Sequence, residues 1–276
     1  MGTDTDRGVN DSDDIRFGPY GLAVSFLAAV PLFAAYELGL LQADFRNTAE
    51  LFAGRLFELL GPYATHGRVL TLIVLAAAAL YFAMREEEEE DEFQELPDAS
   101  LPVRLLRQVA EGFVAALLMG PILVGALSLF EVSITALTPD AVVGEPPPLG
   151  LVARIVGGAA WEELLFRLAI YAVLFLLTVR IAHFLGAGLM EASPAGDLVA
   201  LLGSAVIFAV FHLDVVTRLF GVGGEEFDRG VFLWRLLAGL LLAALFRWRG
   251  LGVAAWAHGL FNGALLLGAG PGVFTA

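Results

Sequence analysis

The chain has 276 residues, of which 58% are hydrophobic and 17% charged, against roughly 25% charged in an ordinary soluble domain. With a mean hydropathy of +0.77, this composition excludes a water-soluble globule and points to one polytopic membrane domain of about six to eight helices. There is no cysteine, so disulfides, iron–sulfur clusters, thiolate zinc sites and a cysteine nucleophile are excluded.

The formal net charge of −14 is unevenly spread. Acid gathers in residues 1–16 (Asp4, Asp6, Asp11, Asp13, Asp14) and in the run REEEEEDE at 85–92. Such runs are solvated and self-repelling. Residues 1–16 read as an acidic disordered tail without the apolar segment of a cleavable signal peptide. Residues 17–276 read as a single transmembrane domain. Every basic residue is arginine, a composition bias that suggests a prokaryotic chain.

A first span is expected at about residues 17–41, with Pro19 and Pro31 as kink sites. Residues 51–63, LFAGRLFELLGPY, are apolar near a 3.6 period but too short to cross. They read as one interfacial amphipathic helix. Further spans follow at about 69–84, ending at the acidic run, and at 109–130. The proline-rich stretch TPDAVVGEPPPLG, 138–150, breaks the chain. The remaining spans fall at about 151–179, 198–216, 232–248 and 251–267, with a tight basic RWRG turn between the last two. The fold class predicted is all-α: a polytopic bundle of about seven spans, range six to eight, plus the interfacial helix.

The arginine-free loop at 133–150 is placed outside by the positive-inside rule. Alternation then puts Arg7, Arg16, Arg85, Arg104, Arg107, Arg180, Arg247 and Arg249 inside and Arg46, Arg55, Arg68, Arg218 and Arg229 outside. No internal repeat is visible.

Three pieces put polar groups into apolar helix: EELLFR at 162–167, FAVFH at 208–212 and HGLFN at 258–262. Glu163 and Arg167 are four apart and can pair on one face, acid before base. Glu162 lies about 100° around the helix, off that face. Phe208 with His212, and His258 with Asn262, each share a stripe. If the stripes converge, the interior holds Glu162, His212, His258 and Asn262. That set suits acyl-bond hydrolysis. A carboxylate serves as general base toward water, and a histidine orients water or moves a proton. A histidine with an asparagine can donate to an oxyanion. Glu163 and Arg167 read as a structural pair. His183 reads as a packing residue, and Glu37, Glu111 and Glu131 as capping, interfacial or helix-pairing groups. Asp214 either supports the site or marks a helix end.

In this order and spacing, E-E-x-x-x-R, F-x-x-x-H and H-x-x-x-N resemble the CPBP intramembrane proteases. That family includes the CAAX prenyl endopeptidases of the Ras-converting type and the Abi proteins. The resemblance covers about residues 150–268; the small residue often found after the arginine is Leu168 here. It implies an intramembrane endopeptidase in which Glu162 activates water, His212 helps hold it, and His258 and Asn262 stabilise the oxyanion. Glu163, Arg167 and Phe208 would support them.

A metal is an open alternative, since the family is commonly labelled a metalloprotease. Zinc would fall to Glu162, His212 and His258, although the H-E-x-x-H signature is missing and asparagine is a poor zinc ligand. The expected location is a prokaryotic cell membrane, multi-pass. The expected partners are membrane lipid and a membrane-associated peptide or protein, with no nucleic acid. Two rival readings are a membrane scaffold or bacteriocin-immunity protein and a proton-coupled transporter.

Overall fold

The computed structural model describes residues 17–41, 54, 56–91, 100–132, 149–220, 224 and 226–268. They are almost entirely helical. In chain order the helices are α1 Leu22–Leu40, α2 Ala64–Asp91, α3 Leu101–Ser128, α4 Leu149–Phe184, α5 Leu189–Phe211, the short α6 Asp214–Thr217, α7 Arg229–Arg249 and α8 Leu251–Leu266. Six are long and apolar enough to cross a membrane: α1 to α5 and α7. The seventh expected span is α8, whose 16 residues extend only about 24 Å. The chain is a polytopic helical membrane protein.

Helix boundaries depart from the expected ones for local reasons. The helix of α2 continues through the acidic run to Asp91, so the run extends a helix instead of ending it. α3 begins at Leu101, after Ser100 at its N-cap and with Pro102 in its first turn, where a proline loses no helical bond. α5 begins at Leu189, with Pro194 tolerated inside it, and stops at Phe211, short of the expected residue 216. Pro31 lies within a continuous α1, and Pro19 lies before it. Of the expected amphipathic helix, residues 54 and 56–58 are helical and Gly61–Tyr63 form a 3₁₀ turn. Leu59 and Leu60 between them form a turn, while residues 51–53 and 55, the 1–16 tail and the proline-rich 138–148 stretch lie outside the described residues.

α8 is the axis of the bundle. Ten of its sixteen residues are buried, Leu251 to Ala255, Ala257 to Gly259, Phe261 and Gly263. It packs against α3, α4, α1 and α7. Being enclosed by protein, it needs an apolar surface on every side and no full bilayer length. Glycine sets its closest approach. A Cβ on Gly259 would stand 2.6 Å from the Val156 carbonyl oxygen of α4. α4 meets α1 in the same way, because a Cβ on Gly157 would stand 2.4 Å from the Leu32 carbonyl oxygen. Small residues allow such backbone proximity in membrane bundles.

Of the acids read as capping, interfacial or helix-pairing groups, Glu37 and Glu111 pair helices. Arg68 of α2 donates twice to Glu37 of α1, at 2.9 and 2.7 Å. At the α7–α8 turn, Arg247 Nε donates to Asp197 of α5 (2.6 Å), which also accepts from Tyr171 OH (3.0 Å). Arg249 Nε donates to Glu111 of α3 (2.8 Å), which accepts from Tyr20 OH (2.6 Å). The RWRG arginines are thus neutralised by α3 and α5, and they weigh less as orientation signals than their number suggested. The segment before α1 lies on this turn, with Gly18 N–H donating to the Arg247 carbonyl (3.2 Å). Burial first, then the bond to Glu111, raises the pKa of Tyr20 above its ordinary value.

Candidate active site

α4 carries the first polar piece and changes geometry there. Leu149–Glu163 is α-helical, Leu164–Tyr171 is π-helical, and Ala172–Phe184 returns to α. A π segment inside an α-helix is a common mark of a functional site. Glu162 and Glu163 sit on its leading edge and Arg167 within it. All three are buried, with relative exposures of 7%, 0% and 0%.

The close approach of α4 and α8 at Gly259 brings His258 between the two glutamates. His258 Nδ1 lies 2.9 Å from Glu163 Oε1, and its Nε2 lies 3.6 Å from Glu162 Oε2. The second histidine comes from the end of α5. His212 is the residue that ends that helix, and its Nδ1 lies 2.8 Å from the Phe208 carbonyl oxygen. Its Nε2 faces Glu162 Oε2 at 3.9 Å. Asn262 lies one helical turn beyond His258 on α8, so the two share a stripe.

These contacts assign the tautomers. A carboxylate and a carbonyl only accept, so each Nδ1 carries a proton and each Nε2 points at Glu162. Both Nε2···Oε2 separations exceed a direct hydrogen bond, and a water molecule can bridge each gap. Phe208 supports the group from beneath. Its ring centroid is 4.7 Å from that of His212, 5.9 Å from that of His258 and 5.1 Å from that of Phe166. The Arg167 guanidinium lies over the same ring at 5.1 Å.

Charge balance suits a site in lipid, where uncompensated charge is costly. Two glutamates face one arginine, so a protonated His258 brings the cluster to neutrality. As for metal, two ligands at about 2.0–2.1 Å in tetrahedral array stand roughly 3.4 Å apart. The two Glu162–histidine separations are wider, and among the described residues no group of three His, Asp or Glu side chains is arranged to hold an ion.

The structure therefore gathers Glu162, Glu163, Arg167, Phe208, His212 and His258 into one cluster. The pairing of Glu163 with Arg167 is present, Nε to Oε2 at 3.2 Å. What spacing did not reveal is that Glu163 also holds His258. Asp214 stands apart from this cluster's contacts. It accepts from Gly224 N–H (3.3 Å) and pairs with Arg218 (2.5 Å). His183 contacts the Ala187 carbonyl at the end of α4 (3.2 Å).

A buried carboxylate between two oriented histidines in a multi-pass helical protein marks a candidate functional site. Residues 144–264 match the family model described as type II CAAX prenyl endopeptidase Rce1-like. The match reaches from α4 into α8, takes in every site residue named above, and makes this part of the chain similar to a CAAX-type peptidase. No curated protein and no solved structure matches the chain significantly.

Proposed function

We propose that the chain hydrolyses a peptide bond of a membrane-associated or lipidated peptide by general-base catalysis from Glu162, without a covalent intermediate. The observation that carries this reading is the spacing of Glu162 Oε2 from two Nε2 atoms, 3.9 Å and 3.6 Å, which suits one shared water.

His212 Nε2 accepts while that ring is neutral, and His258 enters the reaction already protonated, paired with Glu163. A water between Glu162 and His212 donates one proton to each and turns its lone pairs outward. The water oxygen attacks the scissile carbonyl as Glu162 takes its proton. The developing oxyanion accepts from the Asn262 amide and from His258 Nε2–H, with the His258 ring protonated and Glu163 as its counter-ion. The C–N bond then breaks. Glu162 returns the proton to the leaving amine, giving a carboxylic acid and an amine.

The family's description names a prenyl substrate of CAAX type. A lipid anchor would deliver the scissile segment to helices at membrane depth, and a peptide tethered in another way would also reach them. A prokaryotic cell membrane suits the all-arginine composition. The test is reconstitution of the purified chain in vesicles with matched peptides, farnesylated and plain, followed by mass spectrometry. A single new cleavage product, formed faster from the membrane-bound peptide, supports the reading. Intact peptides of both kinds at high enzyme concentration overturn it.

A further inference from the structure

One part of the cluster is left over by this chemistry. The Arg167 side chain is fully enclosed, and its Nε, Nη1 and Nη2 have no hydrogen-bond partner. Oε2 of Glu163 has none either. The two side chains are close at 3.2 Å, but their alignment makes an ion pair without a hydrogen bond. The Phe208 ring covers the guanidinium face at 5.1 Å, and a ring face leaves in-plane N–H groups unmatched. Three charged donors and a carboxylate oxygen without partners are far too costly to bury dry, and internal water is the usual remedy.

We propose that Arg167 and Glu163 form an internal water-binding site that adjoins the catalytic carboxylate. Its ligand is water held by the guanidinium N–H groups and Glu163 Oε2. Each turnover consumes one water inside a bundle whose walls are apolar, so a resident supply next to Glu162 serves the reaction. Arg167 is then a positioning residue that acts through water. The role in catalysis rests on the peptidase reading; the water site itself does not.

X-ray radiolytic footprinting of the full chain in detergent tests the site directly, because hydroxyl radicals form at bound internal water. Phe208 is 1% exposed and Met119, in an all-apolar cluster, is 2% exposed. The expected result is oxidation of Phe208 while Met119, intrinsically more reactive, stays silent. Arg167→Met should reduce Phe208 labelling at least about fivefold, with Arg167→Lys intermediate, as bound water is lost with its donors. Phe208 as silent as Met119 in the wild type overturns the proposal, and so does undiminished labelling in both variants. If Arg167→Met fails to fold, Arg167→Lys decides. Kinetically, Arg167→Lys should lower kcat and leave KM unchanged. A labelled Phe208 in a chain that cleaves no peptide would keep the water site and remove the peptidase reading.

Discussion

His258 Nδ1 meets Glu163 Oε1 at 2.9 Å, across the gap between the central helix and the π segment of its neighbour. This bond makes the second glutamate, read as half of a structural pair with Arg167, the group that fixes a histidine tautomer. It also sets the direction of Nε2 and supplies the counter-charge a protonated ring needs.

Glu163→Gln should therefore impair catalysis while the helices stay assembled. The amide still pairs with Nδ1 but supplies no charge. A loss of about 10- to 100-fold in kcat with little change in KM is expected, the usual scale for groups that orient a reacting residue. Steady-state kinetics in detergent, beside a thermal unfolding curve, separates this from misfolding.

Asn262→Ala removes a proposed oxyanion donor. Loss of one such donor costs about 10² to 10³ in kcat. A variant with a raised KM and full kcat would place Asn262 in substrate binding.

Activity should survive dialysis against a strong chelator and should not rise when zinc is restored. Metal analysis of the active protein checks the same point. Activity abolished by chelation and recovered with one equivalent of zinc would assign Glu162, His212 and His258 as ligands.

Gly259→Val tests the geometry that assembles the site. The added side chain begins 2.6 Å from the Val156 carbonyl oxygen, so α8 must move off α4. A cost of about 1–3 kcal/mol is expected for such overpacking, with loss of peptidase activity, because the same displacement separates His258 from both glutamates.

Much of this arrangement was legible in the sequence. Hydropathy gave the spans, and fourfold spacing gave the Glu163–Arg167 pair and the His258–Asn262 stripe. Spacing along one helix says nothing about what lies across from it, so the Glu163–His258 bond was hidden. The π segment was hidden as well, because one residue of extra helical bonding leaves no mark in apolar spacing. Helix ends were misplaced where polar residues continue a helix past the apolar core, as at Glu86–Asp91. The RWRG turn looked basic because its acidic partners, Asp197 and Glu111, lie far away in sequence.

Tyr20 gives a pH-dependent check on the clasp at the α7–α8 turn. Its pKa is raised in the fold, above the ordinary value of about 10. Its contribution to stability is thus complete below about pH 10 and disappears as pH rises through the folded value. Tyr20→Phe should lower the unfolding midpoint at pH 8, and its difference from wild type should shrink above about pH 10. A difference that stays constant through that range would show that Tyr20 does not titrate into the clasp.

Glu162 is the proposed base. Glu162→Gln keeps the shape of the side chain and removes its ability to take a proton. Cleavage of a membrane-bound peptide by this variant should fall by about 10² to 10⁴, with the unfolding midpoint unchanged or higher. Cleavage at the wild-type rate by a folded Glu162→Gln chain would contradict the account.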